Sequence, residues 1–496
     1  MVTRMHIVVH SAHKEVVWAH TLLAQLGPVL LKRTGNAQCR RAPRKGNPMT
    51  TIAQENFATE TRKTAFISFA FTIALIAPLA LRAQQPAVID MTPVAPESVG
   101  FSSERLDRLH TFIQSVVDKK ELSGAVTILA RHGKIVDYRT YGVQDFTSGV
   151  PMSKDTIFRD YSMTKPVTGA AMLILYEEGK WLPTDPISKF IPEFTNLKVY
   201  AGLDATGKMI LVAPDHAPTM HELMTHTAGF SYGDGDGPVD DMYQKLQVRQ
   251  SPNLQEAINR LAQIPLNYQP GTRWRYSLSM DIQGYIIEKI TGQSLPDFMR
   301  DHLFAPLGMR DAGFYVPADK RDRFATLYEN DGHDGLKADT TNGSGLGDFF
   351  SPPVRPSGGG GLVSTAEDYY RFAQMLGNSG ELGGVRILAP SSVRLMDTNH
   401  LPPSMLTGEF HVGSQTFRPG FGYGYDCAVA FDPQAADLPD GKNTFFWDGA
   451  ASTWFWVDPT NDIVFVGMIQ RLGGGKPNME YSTRPLVYQA LIDPSK

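Results

Sequence analysis

The run Ser162-Met163-Thr164-Lys165-Pro166-Val167-Thr168-Gly169-Ala170-Ala171-Met172-Leu173-Ile174-Leu175-Tyr176-Glu177-Glu178-Gly179 sets a hydroxyl and an amine three residues apart at the head of an apolar segment. Val167, Ala170, Ala171, Leu173, Ile174 and Leu175 are apolar almost all round, which predicts a buried helix ended by Glu177, Glu178 and Gly179. Pro166 fits near the helix start, where its missing N–H has no partner to lose. Positions i and i+3 of a helix lie roughly 5–6 Å apart at Cβ, so the Lys165 amine reaches the Ser162 oxygen. A lysine opening a buried helix is costly unless it is paired or neutral, and this pair is therefore a candidate nucleophile with its base. Ser-x-x-Lys also marks ordinary solvated helix starts, so the rest of the chain has to decide.

The chain has 496 residues, 42% hydrophobic and 10% aromatic, enough for a large core in two or three structural units. A net charge of −4 gives no case for a nucleic-acid partner. Residues 1–48 are basic and irregular, and we read them as an over-extended reading frame, with Met49 as the start. Arg62-Lys63, the apolar run from Ala65 to Leu81 and Arg82-Ala83 then form the n-region, h-region and cleavage site of a secretory signal, although Leu81 is large for its place. The competing reading is a membrane anchor, for which the run is near the lower length limit; the polar, Pro-rich chain that follows at once favours the signal. Arg40-Arg41 stands too far from the apolar run for a twin-arginine signal. The expectation is a periplasmic or secreted protein with no membrane association after cleavage. Cys39 would leave with the leader, and Cys427, without a basic neighbour, is expected to be a small buried hydrophobe.

Residues 1–83 are thus an extension and signal, followed by a first α/β part at 84–180, a mostly helical insertion at 181–353 and a second α/β part at 354–496. The first α/β part has a helix opening at Ser103-Glu104 and a hairpin made by Gly124–Ala130 and Ile135–Tyr141 around Arg131-His132-Gly133-Lys134. The insertion has candidate helices at 219–226, 253–264, 278–291 and 294–304. In the last part a Gly358-Gly359-Gly360-Gly361 bend precedes a helix capped by Ser364 with Glu367, then strands near 421–431, 443–448, 452–458 and 462–470, and a closing helix from about Thr483 to Ile492. Short turns between strands imply an antiparallel sheet flanked by helices, an α+β fold interrupted by the helical unit.

Three motifs are decoys. Gly229-Phe230-Ser231-Tyr232-Gly233 matches a nucleophile elbow, but a helical segment precedes it where that turn needs a strand. His221-Glu222 and His226 resemble a zinc helix with the second histidine at i+5 instead of i+4. Asp234, Asp236, Asp240 and Asp241 lack calcium-loop spacing and read as a solvated acidic loop.

Two further segments complete the pattern. Pro270-Gly271-Thr272-Arg273-Trp274-Arg275-Tyr276-Ser277 lies between helices and presents Tyr276. Trp447-Asp448-Gly449-Ala450 ends a strand, with a glycine that permits close approach of substrate backbone or carbonyl. In this order the chain resembles the serine β-lactamase and penicillin-binding-protein superfamily, in the class C-like branch that includes family VIII carboxylesterases. Ser162-Met163-Thr164-Lys165 matches its Ser-x-x-Lys motif, Tyr276-Ser277-Leu278 its Tyr-x-Asn position and Trp447-Asp448-Gly449 its Lys-Thr-Gly position. Leu223-Met224-Thr225-His226-Thr227-Ala228-Gly229-Phe230 and Gly359-Gly360-Gly361-Leu362 also look like family segments, so the likeness covers roughly residues 95–490.

The resemblance implies Ser162, Lys165 and Tyr276 as catalytic residues, the backbone N–H groups of Ser162 and Ala450 as the oxyanion hole, and Trp447 and Gly449 as substrate-binding residues. It implies no metal or organic cofactor. Leu278 and Trp447 replace the asparagine and the cation that hold a β-lactam's amide and carboxylate, which suits a neutral ester better than an anionic β-lactam; small-molecule esters with short acyl chains are what the resemblance implies as substrates. Either Lys165 or Tyr276 takes the serine proton first. Trp447, and with it Trp454, Trp456, Phe230 and Tyr232, are candidates for an aromatic pocket wall. The rival readings are a β-lactamase or D-amino-acid peptidase on the same scaffold and a non-catalytic penicillin-recognising protein.

Overall fold

Residues 85–333, 335–340, 346–406, 410–412, 415–417, 419–473 and 477–496 are described in the computed structural model. The signal segment, the basic stretch before it and Cys39 lie outside them. All described residues belong to one compact unit, through which one large apolar cluster runs from the first helix to the last.

Helix α1 (Ser103–Asp118) starts on Ser102, whose hydroxyl accepts the Arg105 amide, and buries Leu106, Leu109, Ile113 and Val116 on one stripe. The hairpin follows as β1 (Gly124–Arg131) and β2 (Lys134–Gly142), with every residue of β1 buried because the strand is paired on both sides and a helix packs against it. Beyond the short strand β3 (Ile157–Arg159), helix α2 (Thr164–Glu177) carries the apolar run and is enclosed from Thr164 to Leu173. It packs against α3 (Ser279–Thr291), the longest helix of the intervening region. That region is less purely helical than expected, since it contains an antiparallel hairpin of Val199–Leu203 with Met209–Val212.

Strand β4 (Val363–Thr365) pairs antiparallel with β3 and leads into α4 (Ala366–Gly377). Thr365, not Ser364, caps this helix by accepting the Asp368 amide; Ser364 is occupied with Asp160. The rest of the main sheet is β5 (Phe421–Tyr423), β6 (Ala428–Ala430), β7 (Thr444–Asp448), β8 (Trp454–Asp458) and β9 (Ile463–Met468). The strand expected at 421–431 is two strands, because the chain turns between them at Asp426, where φ is +61°. The seven strands run β5-β6-β7-β8-β9-β1-β2 and every pairing is antiparallel. Helix α4 packs against β8, β9 and β1, while α1 packs against β2 and the closing helix α5 (Met479–Tyr488). That helix begins four residues before the expected Thr483, since Asn478 supplies an N-cap to Tyr481. The antiparallel sheet with flanking helices is the expected fold.

Candidate active site

Ser162 sits in a single 3-10 turn, Tyr161–Met163, between β3 and α2. The residue before it, Tyr161, holds φ at +45°, a region bulky residues rarely occupy, at a cost of about 1–3 kcal/mol. Surrounding bonds hold this turn in place. The Asp160 amide donates to the Leu362 carbonyl at 3.0 Å, Ser364 Oγ donates to Asp160 Oδ1 at 2.9 Å, and Tyr369 Oη donates to the Met163 carbonyl at 2.8 Å. Thr453 Oγ1 donates to the Asp160 carbonyl at 3.2 Å, which joins the turn to the β7–β8 loop. Asp160 is wholly enclosed, and burial pushes its carboxyl well above the usual range, against the pull of the Ser364 hydrogen bond.

The glycine bend completes the wall. Lys165 Nζ donates to the Gly359 carbonyl at 2.6 Å, Thr168 Oγ1 donates to the Gly358 carbonyl at 2.7 Å, and the Leu362 amide donates to Thr164 Oγ1 at 3.0 Å. A Cβ at Gly358 would collide with the Met280 carbonyl at the start of α3, so this position requires glycine.

Three groups meet at the serine. Lys165 Nζ lies 2.9 Å from Ser162 Oγ, and Tyr276 Oη lies 2.8 Å from the same oxygen. Lys165 is fully enclosed, and burial lowers its pKa to about 7 against the opposing pull of Asp281, Asp426 and Asp448. Near neutral pH a large share of the amine is therefore unprotonated and able to accept a proton. Burial drives the Tyr276 phenol far upward, and its contacts with Ser162, Trp447 and Tyr232 pull the other way without making it a phenolate. Tyr276 is thus a neutral hydrogen-bond donor at rest. Ser162 and Tyr276 open onto a cavity of about 690 Å³, whose wall also includes Tyr232, Leu278, Gly449, Ala450 and Trp454.

Ser162, Lys165, Tyr276, Gly449 and Ala450 therefore converge as the sequence suggests, and Leu278 lies beside them. Three assignments change: Trp447, part of the aromatic wall, and the role of Gly449. Trp447 is buried behind the site, its ring 5.6 Å from that of Tyr276 and 5.5 Å from that of Tyr423, and is absent from the cavity wall; alternation along β7 sends Trp447 inward while Asp448 faces the cavity. Of the aromatic candidates, Tyr232 and Trp454 line the cavity, whereas Trp456 and Phe230 are core. Gly449 is needed because a Cβ there would overlap the Asp160 carbonyl, so the close approach it permits is by the protein's own backbone.

The decoys resolve structurally. Ser231 is fully buried, with its hydroxyl donating to Asp240, and Asp240 pairs with Arg275 at 2.8 Å. Asp240 is consequently interior and not part of a solvated loop. His221 meets Tyr425 Oη, Glu222 meets His216 and caps its own helix, and His226 meets Ser277. Among the described residues no group of three or more His, Cys, Asp or Glu is placed to hold a metal ion. Cys427 is buried, which raises its thiol pKa. Asp160 and Asp281 were missed by sequence reasoning, and Gly359 was noted only as part of a family segment, without a role at the site. Gly359 acts through a carbonyl, and the two acids, although close to the motifs, meet partners far away in the chain, Ser364 for Asp160 and Arg355 for Asp281, which no local spacing marks.

A buried amine and a phenol converging on one serine oxygen, beside the end of an inner strand of an antiparallel sheet, define a serine hydrolase of the β-lactamase fold. The chain belongs to the beta-lactamase family, whose profile matches residues 109–486. It is 34% identical over 392 residues to esterase EstB of Burkholderia gladioli, covering 74% of this chain and 92% of that protein. An uncharacterized protein of Mycobacterium tuberculosis is 39% identical over 370 residues, covering 74% of this chain and 90% of its own. Among solved structures, EstCE1, a hydrolase with promiscuous acyltransferase activity, superposes with a TM-score of 0.65 at 27% identity, over 79% of this chain and 99% of EstCE1.

Proposed function

We propose that this protein is a carboxylesterase of the family VIII type, cleaving small esters with short acyl chains through an acyl-enzyme on Ser162. The observation that carries the proposal is the pair of contacts at 2.9 Å and 2.8 Å from Lys165 and Tyr276 to Ser162 Oγ, opening on a cavity. Neutral Lys165 takes the serine proton as Oγ bonds to the ester carbonyl carbon. The backbone N–H groups of Ser162 and Ala450 receive the negative charge on the former carbonyl oxygen. As the carbon–alkoxy bond breaks, the leaving oxygen takes the Tyr276 proton, which the Lys165 ammonium replaces through the shared hydrogen bonds. Water then attacks the acyl carbon, its proton passes to the same relay, and Ser162 regains its hydrogen. Leu278 in the wall offers no amide partner, which favours a plain acyl chain.

The β-lactamase reading has one observation on its side: Arg249, Arg355 and Arg471 are among the residues lining the cavity, a positive setting that suits a carboxylate. Against it, Arg355 already faces Asp281 at 4.0 Å.

The test is hydrolysis of p-nitrophenyl butyrate and of nitrocefin by the wild type, Ser162→Ala and Ser231→Ala. We expect ester turnover that Ser162→Ala reduces by about 10³-fold or more and Ser231→Ala, if folded, retains. Loss through Ser231→Ala with Ser162→Ala active would overturn the assignment of the nucleophile. Faster turnover of nitrocefin than of any ester would replace the esterase reading with the lactamase one.

A further inference from the structure

We propose that His226 is the positioning residue for Tyr276, holding its phenol in register with Ser162; the proposal rests on the acyl-transfer reading above. Tyr276 lies in a stretch, residues 273–277, with no regular secondary structure, so neither helix nor sheet bonds fix its place. His226 adds bonds to the chain on both sides of it, beside the ring contacts that Tyr276 makes with Tyr232, Trp274 and Trp447. It is enclosed, follows the short helix Met220–Met224 and adopts φ +57°. Its carbonyl accepts the Arg275 amide at 2.9 Å, and its Nδ1 shares a hydrogen bond with Ser277 Oγ at 3.0 Å. The residues on both sides of Tyr276 are therefore bonded to one histidine, whose ring also lies 5.0 Å from the Tyr276 ring. Ser277 Oγ is in turn 2.8 Å from Ser279 Oγ at the first residue of α3, which extends the strut into a buried helix.

His226 has no direct contact with the reacting oxygen. The groups bonded to Ser162 Oγ are Lys165 and Tyr276, whereas the imidazole faces Trp274, Tyr276 and Tyr423. Burial and the nearby Lys165 keep the ring neutral, as suits a hydrogen-bonding strut that carries no charge. Misplacing a catalytic group by an ångström is enough to impair catalysis, and the burden should fall on the step that uses the Tyr276 proton.

That step distinguishes positioning from packing. An alkoxide leaving group needs a proton as it departs; p-nitrophenolate does not. The experiment compares kcat/KM for ethyl butyrate and p-nitrophenyl butyrate in the wild type, Ser277→Ala, His226→Ala and His226→Asn. Asparagine places an amide near the Nδ1 position and tolerates positive φ, so it should rescue what alanine loses. The expected result is a loss of about 100-fold on ethyl butyrate for Ser277→Ala and His226→Ala, about threefold or less on p-nitrophenyl butyrate, and recovery to within about fivefold in His226→Asn. Equal losses on both esters in folded variants, or an asparagine variant no better than alanine, would overturn the positioning role while leaving the esterase reading intact. A wild type inactive on both esters would overturn the two together.

Discussion

Lys165 decides the pH response, because it is the one member of the catalytic group whose pKa, lowered to about 7, lies in the working range. In the proposed mechanism its neutral form is the proton acceptor; that form is present above about 7 and lost below it, so kcat/KM should rise with pH along one limb centred near 7. Of the charges acting on the ammonium, Asp281, Asp426 and Asp448 favour it and Arg249 opposes it, with Asp281 the strongest of the four. Asp426 is itself pushed well above the usual carboxylate range by burial, while the Gln283 side chain and Lys165 pull it the other way. Asp281→Asn should therefore move the limb to lower pH, read from kcat/KM for p-nitrophenyl butyrate between pH 5 and 9. An unmoved limb would mean that Asp281 does not act on Lys165. Asp281 also shows what residue spacing does not reveal. Ser162, Lys165 and Tyr276 were legible because their chemistry is tied to short motifs in a fixed order. Asp281 follows Leu278 by one helical turn, and its position over Lys165 comes from α3 packing on α2, a contact that no motif contains.

Among the elements, β8 and β9 show how sheet register shapes the cavity. Trp454 faces Gly467 across the two strands, and a Cβ on Gly467 would overlap the Trp454 indole. The glycine thus provides the room in which a cavity-lining tryptophan lies flat. Gly467→Val should displace the indole, lower stability by about 1–3 kcal/mol as overpacked cores do, and raise KM for butyrate esters with a smaller change in kcat. Urea denaturation and steady-state kinetics check the two parts, and an unchanged KM would show that Trp454 does not shape the ester site. Element existence was legible here, since the strands at 443–448, 452–458 and 462–470 are found nearly where alternation puts them. Element ends were not. The start of α5 depends on Asn478, and the cap of α4 on Ser364 being drawn to Asp160 from another part of the chain. Trp447 was misplaced for a related reason: its position in the motif is right, but the pleat of β7 decides which side chain meets the cavity.

At the scale of the whole molecule, the sheet is closed by strands far apart in sequence. β1 pairs with β2 on one side and with β9 on the other, in a register that sets Arg131 opposite Ile463. Short turns made an antiparallel sheet legible, but the insertion of an early hairpin beside the last strand is a long-range pairing that local pattern does not encode. Arg131 secures that closure. Its guanidinium, almost wholly buried, donates to the carbonyls of Asn461 at 2.9 Å, Val99 at 2.9 Å, Asp493 at 3.3 Å and Pro494 at 2.8 Å, so one side chain joins β1, the turn before β9 and the segments beside both. Replacing it with methionine keeps the stem's packing and leaves those carbonyls without their donor, a loss of about 3 kcal/mol for charge-assisted bonds in an enclosed place. Because one apolar cluster runs through the described residues, that loss should be felt by the molecule as a unit. Arg131→Met should therefore lower the urea midpoint in a single transition, with tryptophan fluorescence and far-UV circular dichroism coincident, and should leave kcat/KM unchanged in the folded protein. Separate transitions for the two probes would show instead that the sheet and the helical region unfold independently, and that the shared core does not couple them.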